Sequence, residues 1–284
     1  MKHEEFLRQL RVLLGDIERE ELNQIEEYYK ELIYDGMEQG YTEEEVLKGF
    51  GAPEEAAKRV REEYGGLVVY GKRIEDPGYL ASNMVHTVKV EAANVRIQVR
   101  TVKTGSVRVL FKPRDNSDEV TYSEENGIFS FTHKMKGFLH LNWLNLFMDF
   151  SVIILEIPKD YSGNLELKTS NAAIKVANLA ELSKGEFISS NGRIKLENVR
   201  AEEIFMYTQN GFLRGTNLIS DKITMETCNG SIVGTIIGNQ NDYSIDSRTI
   251  NGTNNLANID MVEGRAKKLT AKTANGRVHI DFIE

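Results

Sequence analysis

The residues that could do chemistry are few and scattered. Only two of the five histidines, His133 and His140, lie near each other in sequence, and Cys228 is the one cysteine. A metal site gathers three or four nitrogen, sulfur or carboxylate ligands, so this spacing favours solvated histidines. Cys228 can form neither an internal disulfide nor a four-cysteine zinc site. We therefore predict no cofactor and no metal site.

The sequence contains none of the familiar catalytic motifs, such as a nucleophile elbow, a P-loop, a dinucleotide-binding glycine motif or HExxH. Carboxylates leave one enzymatic alternative, because paired carboxylates hydrolyse glycosidic bonds. The candidates are Glu226, Asp242, Asp246, Asp260 and Asp281. Such charges are also expected on a solvated surface. We predict that the protein is not an enzyme, with a polysaccharide-binding or polysaccharide-cleaving protein as the alternative.

Charge is divided unevenly along the 284 residues. Residues 1–65 contain 18 acidic and 9 basic residues, whereas the remainder contains 25 acidic and 26 basic residues. This asymmetry predicts two domains with different tasks. The overall net charge of −8 argues against nucleic-acid binding, which needs a basic surface.

The sequence shows no apolar run of about 18 residues and no apolar core of a signal peptide after Met1. We therefore expect neither a transmembrane helix nor a signal peptide. The expected location is the cytoplasm, peripheral to the inner face of the membrane.

Four short helices are predicted in residues 1–65. Apolar residues recur at helical spacing from Phe6 to Leu14, and Gly15 follows as a predicted left-handed C-cap. A second apolar stripe ends near Gly36 or Gly40. Thr42 and Glu45 have the spacing of a capping box, and the sequence 51–55, GAPEE, ends the third helix and starts the fourth.

The motifs of this segment resemble the HAAS-type α-helical signalling-associated domain of bacteria. They are Phe6-Leu7 with Leu10, Glu20-Glu21, Tyr28-Tyr29, GYTEEE at 40–45 and GAPEEAA at 51–57. That family often precedes membrane helices and occurs in proteins associated with PadR-like transcription regulators. The resemblance implies a protein-interaction role over residues 1–65 and supplies no catalytic residue. Residues 66–86 are predicted to be a linker with one short strand at 67–70.

A repeat dominates residues 87–284. An asparagine followed by glycine or alanine recurs at spacings of 20, 19, 19, 22 and 24 residues, and Asn94 begins the same pattern. The predicted corner residues are Asn94, Asn171, Asn191, Asn210, Asn229, Asn251 and Asn275. A serine or threonine lies two residues before each from Asn171 onward, and apolar residues recur at fixed offsets. The offsets are even before the asparagine and odd after it, which predicts two half-buried strands joined at a corner.

Two architectures fit this pattern. In a right-handed β-helix or β-roll-like solenoid, coils of about 20 residues stack, and the corner amides hydrogen-bond along the stack. In an antiparallel β-meander or sandwich, each Asn-Gly pair forms a type I′ hairpin turn. The fixed offsets favour the solenoid. The predicted fold is therefore mainly β with a separate small α domain.

Residues 85–284 resemble the bacterial "putative adhesin" β-strand-repeat family of unknown function. The resemblance lies in FSVIILEIPK at 150–159, LELKTSN at 165–171 and the later Thr-x-Asn-Gly units. Its pairing with a HAAS-like segment occurs in bacterial proteins. Together the two resemblances imply a protein-interaction or scaffold module linked to bacterial envelope or transcriptional signalling.

Two further segments are candidates for partner contacts. Residues 103–150 interrupt the repeat as an insertion with three predicted strands, followed by an aromatic segment at 137–150. That segment is either a cap on the stack or a loop that binds a protein or a membrane interface. Its candidate contact residues are Phe138, Leu141, Trp143 and Phe147. The alternating residues 277–282 predict an edge strand that pairs with a second copy of the chain.

Overall fold

The computed structural model describes residues 2–17, 19–38, 41–71, 85–103, 105–113, 117–135, 151–257 and 264–284. Its contacts divide the chain between Leu67 and Val68 into a helical unit and a β unit. The two units have separate apolar cores.

The helical unit consists of α1 (His3–Leu13), α2 (Arg19–Glu38), α3 (Glu43–Phe50) and α4 (Pro53–Tyr64). Phe6, Tyr29 and Phe50 pack together at its centre, with ring centroids 5.2–5.6 Å apart. Because aromatic side chains bury the largest apolar areas, this cluster joins three helices with few residues.

Two glycine predictions in the helical unit are wrong. The C-cap of α1 is Leu14, which has a φ of −99°, and Gly15 does not adopt a positive φ. Helix α2 continues past Gly36, where a Cβ atom would overlap the side chain of Val46. Gly36 therefore allows α2 and α3 to approach closely and does not end the helix.

The β unit contains fifteen strands, listed here in chain order. They are β1 (Val68–Tyr70), β2 (Thr87–Ala92), β3 (Arg96–Val102), β4 (Arg108–Phe111), β5 (Asp118–Glu125), β6 (Ile128–Met135), β7 (Val152–Pro158), β8 (Asn164–Thr169), β9 (Ile174–Ser189), β10 (Ile194–Thr208), β11 (Leu213–Thr227), β12 (Ile232–Ile237), β13 (Tyr243–Asn251), β14 (Lys267–Asn275) and β15 (Val278–Ile283). The strands predicted at 67–70 and within the insertion correspond to β1, β4, β5 and β6.

All fifteen strands belong to one nearly closed, barrel-like mixed sheet that bends back on itself. The first layer has the order β5-β6-β2-β8-β9-β10-β11-β14-β13, and the second layer has the order β1-β4-β7-β3-β9-β10-β11-β12-β15. Strands β9, β10 and β11 are 15 or 16 residues long, and each passes from the second layer into the first. Alternate residues of both layers point into one continuous apolar core.

Successive repeats pair in parallel, with equivalent residues opposite each other. Ile174 of β9 is the partner of Ile194 in β10, which is in turn the partner of Leu213 in β11. Antiparallel pairing among the described strands is confined to β1–β4, β4–β7 and β5–β6. The antiparallel alternative is therefore wrong for the repeat, whose coils of about 20 residues stack on one another.

The glycines after the corner asparagines serve close approach between coils. A Cβ atom on Gly192, Gly211 or Gly230 would overlap the carbonyl oxygen of the equivalent residue in the preceding coil. None of these three has a positive φ, so the type I′ turn expected of a repeat hairpin is absent from them. Asn126-Gly127, between β5 and β6, has φ values of 51° and 73° and does form the positive-φ hairpin turn.

The last coils do not stack in chain order. Strand β14 pairs with β11, and the earlier strand β13 pairs only with the outer side of β14. The predicted sequential stacking therefore stops after Asn229. The longer spacings of the last two repeats accommodate this exchange.

Candidate interaction surfaces of the β unit

The predicted corner residues form a continuous ladder of amides, which we call the corner ladder. Each amide nitrogen donates to the amide oxygen of the preceding rung at 2.5–2.7 Å, in the order Asn94, Asn171, Asn191, Asn210, Asn229, Asn275, Asn251. The predicted ladder is thereby confirmed, with its last two rungs exchanged. Asn94 also donates to Sδ of Met135 at 3.4 Å. The side-chain hydrogen bonds run parallel to the backbone hydrogen bonds between coils and hold the corners in register.

The hydroxyl group two residues before each corner asparagine has a defined partner. Thr208 donates to the carbonyl oxygen of Gly192 at 3.1 Å, Thr227 to that of Gly211 at 3.1 Å, and Thr273 to that of Gly230 at 2.8 Å. These three hydroxyl-bearing residues are buried. A buried carbonyl without a partner is costly, so the hydroxyl groups stabilise the tight corners.

A second ladder lies where β9, β10 and β11 pass between layers. Asn178, Asn198 and Asn217 have φ values of 60°, 52° and 54°, a conformation that asparagine tolerates better than most residues. Asn198 donates to Asn178 at 3.0 Å, and Asn217 donates to Asn198 at 2.9 Å. Our sequence analysis missed this bend ladder. Its signal was the recurrence of asparagine seven residues after three of the corner asparagines.

Opposite charges face each other on the outer side of the first layer. Lys89 pairs with Glu166 at 3.0 Å, and Lys222 pairs with Glu203 at 2.9 Å. Burial alone would raise the pKa of Glu186, but the ammonium groups of Lys184 and Lys168 outweigh burial and lower it. The charges of this surface are therefore largely balanced between neighbouring strands.

The outer side of the second layer has a different pattern. Lys175, Lys195 and Arg214 are direct neighbours on β9, β10 and β11, and we call them the cationic row. Each alternates along its strand with buried apolar residues, so all three side chains point outward. Parallel strands lie about 4.8 Å apart, which places three positive charges side by side. One acidic neighbour is Glu197, whose carboxylate lies 3.7 Å from Nζ of Lys195.

An aromatic side chain lies beside the cationic row. The guanidinium carbon of Arg214 is 5.1 Å from the ring centroid of Phe212, and that of Arg193 is 5.9 Å from it. Both distances are within the range of cation–π attraction. Phe212 is partly buried and Arg214 is exposed. The surface thus combines positive charge with an accessible ring edge.

The other predicted site residues are distributed as follows. Phe138, Leu141, Trp143 and Phe147 lie outside the described residues, as do His140 and Asp260. Asp246 pairs with Lys272 at 2.5 Å, and Asp281 lies 3.4 Å from His279. His133 is buried, with Nε2 3.1 Å from the carboxylate of Asp118.

Ligand-type side chains are not clustered in this fold. Within the described ranges, no group of three or more His, Cys, Asp or Glu residues could hold a metal ion. The helices that the structure describes include none long and apolar enough to cross a membrane. Cys228 is exposed, directly before the corner residue Asn229.

These features define a two-unit protein with a small helical domain and a nearly closed, mostly parallel β domain. Residues 80–284 match the family model described as Toastrack DUF4097, and residues 5–59 match that of HAAS. The chain belongs to the Toastrack DUF4097 family and carries a HAAS domain before its toastrack domain. Both resemblances noted in the sequence are thereby confirmed.

Two solved structures are similar to the chain. A putative cell adhesion protein from Clostridium sporogenes is 12% identical, with a TM-score of 0.44 over 76% of this chain and 100% of that one. A putative adhesin from Bacteroides fragilis is 11% identical, with a TM-score of 0.28 over 76% of this chain and 97% of that one. No curated protein matches the sequence.

Proposed function

We propose that this chain is a non-enzymatic protein-interaction or scaffold module. In this proposal the toastrack domain is a right-handed β-solenoid whose cationic row binds an acidic partner protein. The HAAS domain recruits a regulatory partner in envelope or transcriptional signalling, at the cytoplasmic face of the inner membrane. The observation that carries the proposal is the side-by-side placement of Lys175, Lys195 and Arg214.

The cationic row opposes folding, because like charges directly opposite each other on neighbouring strands are destabilising. The first layer avoids this cost with pairs such as Lys222–Glu203. An arrangement that costs stability in one layer and is avoided in the other favours a binding role. A partner that supplies carboxylates to the row would remove the repulsion.

The surroundings of the row suit a protein partner. Protein interfaces are enriched in arginine and aromatic residues, which supply most of the binding energy. Arg193 and Arg214 flank Phe212, so charge and apolar surface lie together. A partner with acidic residues beside an apolar side chain would match both features.

Charge reversal in the full-length protein tests the proposal, with poly-L-glutamate as the acidic probe in fluorescence anisotropy. We expect Lys195→Glu with Arg214→Glu to weaken binding at least tenfold, and the wild-type affinity to fall as salt screens the charges. The matched control, Lys222→Glu with Lys268→Glu, removes the same charge from the first layer and should leave most of the binding. Equal losses in both variants would contradict the proposal.

Two further probes separate the proposal from its alternatives. Polygalacturonate tests an acidic polysaccharide, and vesicles containing phosphatidylglycerol test an anionic membrane. If either binds through the row while poly-L-glutamate does not, the acidic-protein proposal is wrong. Release of reducing ends from polygalacturonate would overturn the non-enzymatic assignment.

A further inference from the structure

Strand β13 is the outermost strand of the first layer. It spans nine residues and pairs with β14 on one side. None of the other described strands pairs with its outer edge. A strand of this length presents an edge of about 30 Å, at about 3.3 Å per residue. Unpaired edges of this kind are templates for pairing with another chain.

The neighbouring edge of β15 is already covered. The N–H of Val278 donates to the carbonyl oxygen of Thr253 at 2.8 Å. The side chain of Asn255 both accepts from the N–H of Ile280 at 3.0 Å and donates to its carbonyl oxygen at 2.9 Å. The open edge at this end of the stack is therefore β13 rather than residues 278–280 of the C-terminal strand.

Strand β13 lacks the usual protection of an edge. It contains no proline and no lysine, and Ile250 is 73% exposed. The edge strand at the opposite end of the layer, β5, has acidic residues at Asp118, Glu119, Glu124 and Glu125. Antiparallel pairing of β5 with itself would place these like charges opposite each other, so that edge repels a second copy.

The sequence of β13 is complementary to itself. In an antiparallel pair centred on Ser247, Asp246 of each chain lies opposite Arg248 of the other, so the register forms two ion pairs. Ile250 then lies opposite Ser244 of the second copy. Antiparallel self-pairing around a central residue is also what two-fold symmetry requires.

Arg248 already experiences a repulsion that such pairing would relieve. It lies directly opposite Lys272 on β14. Within the described part of the chain, the carboxylate of Asp246 pairs with Lys272, and Arg248 has no ion pair. The second copy's Asp246 would supply the missing negative charge.

We propose that β13 pairs with β13 of a second copy, antiparallel and centred on Ser247, and that this edge makes the protein a symmetric dimer. The first layers of the two copies then form one continuous sheet. This surface is separate from the cationic row, so the dimer does not depend on the proposed function.

Sedimentation velocity over a concentration series tests this dimer in the full-length protein. We expect wild type to dimerise and Arg248→Asp to raise the dimer Kd at least tenfold, because two aspartates would then face each other. Arg248→Asp also replaces the repulsion of Lys272 by an attraction, so thermal unfolding of the monomer should occur at an unchanged or higher temperature. Weaker dimerisation without loss of folding therefore identifies an interface effect.

The double variant Asp246→Arg with Arg248→Asp restores opposite charges across the pair and should recover dimerisation. The control Arg214→Asp changes an equal charge in the second layer and should leave the dimer Kd unchanged. A strict monomer at the highest soluble concentration would overturn the proposal. So would an Arg248→Asp variant that dimerises like wild type, or a double variant as weak as the single one.

Discussion

The corner asparagines show how one side chain can connect three coils. The amide of Asn210 donates to Asn191 at 2.6 Å and accepts from Asn229 at 2.7 Å. A side chain with one donor and one acceptor aligned along the stack repeats without end, whereas serine or aspartate could not serve both neighbours in the same geometry.

Removal of one internal rung should therefore have a measurable cost. We expect Asn210→Ala to lower the free energy of unfolding by about 1–2 kcal/mol, because two hydrogen bonds are lost at one position. Urea denaturation followed by circular dichroism measures this. The control Gln209→Ala changes the adjacent exposed residue and should stay within about 0.5 kcal/mol of wild type. Equal losses in both variants would show that the ladder is not stabilising.

At this scale the sequence indicated the position of residues better than their conformation. The recurrence of Asn210 and its equivalents predicted a ladder, since equal spacing is visible in sequence. The reason for Gly211 was not visible, because the carbonyl oxygen of Gly192 that it must approach belongs to another coil. Asn178 and Asn198 were missed because their role depends on a positive φ at a bend in the middle of a strand.

Among the elements, helix α3 begins with the predicted capping box. The hydroxyl of Thr42 accepts from the N–H of Glu45 at 3.3 Å, and the Glu45 carboxylate accepts from the N–H of Thr42 at 2.8 Å. That backbone donor, with the hydroxyl of Thr42, lowers the pKa of Glu45 below its ordinary value of 4.5. The prediction from four residues succeeded because capping is local.

The capping box makes the helical unit sensitive to acid. Since the pKa of Glu45 is lowered by folding, its stabilisation is complete above pH 4.5 and is lost as the pH falls through the folded-state pKa. Glu45→Gln should therefore unfold with a weaker dependence on pH below that value, as measured by circular dichroism at 222 nm, a wavelength of roughly maximal helix signal. Thr42→Ala should cost about 1 kcal/mol at neutral pH. An unchanged acid dependence in Glu45→Gln would contradict this role.

The order of β13 and β14 could not be predicted from the repeat. Both strands carry the same pattern, with Ile245 and Leu269 at equivalent positions, so either could pair with β11. The choice depends on the connections between them and on contacts far apart in sequence. Periodicity therefore predicts which residues face the core but leaves the order of strands open.

On the scale of the whole molecule, stability depends on neutral phenols in both units. Burial raises the pKa of Tyr243 to about 12, and burial also raises the pKa values of Tyr29 and Tyr161. The hydroxyl of Tyr243 donates to the carbonyl oxygen of Ser220 at 2.8 Å, which requires the protonated form.

The protein should consequently lose stability at alkaline pH. Above the ordinary tyrosine pKa of 10.0, the unfolded chain releases protons that the folded chain retains, so the free energy of unfolding falls as pH rises. Tyr243→Phe should unfold less steeply with pH over this range, although it is less stable at neutral pH because a hydrogen bond is lost. Denaturation curves at a series of alkaline pH values measure both effects. The exposed Tyr34 offers a control, since Tyr34→Phe should leave the slope unchanged.

The architecture was predictable only in part at this scale. The charge asymmetry and the change from helical to alternating periodicity predicted a helical segment followed by a large β region. The passage of β9, β10 and β11 between two layers of one sheet was not predicted, because it follows from closure of the whole barrel-like sheet.

The exchanged positions of β13 and β14 have a consequence for folding on the ribosome. Coils from β8 to β11 can join the stack in the order in which they are synthesised, each on the one before. Strand β13 must then remain unpaired while β14 is made, because β14 is its partner. During that interval Tyr243 and Ile245, both buried in the finished fold, are exposed to other nascent chains. The final step of assembly is therefore the one most sensitive to delays in translation and to chaperones.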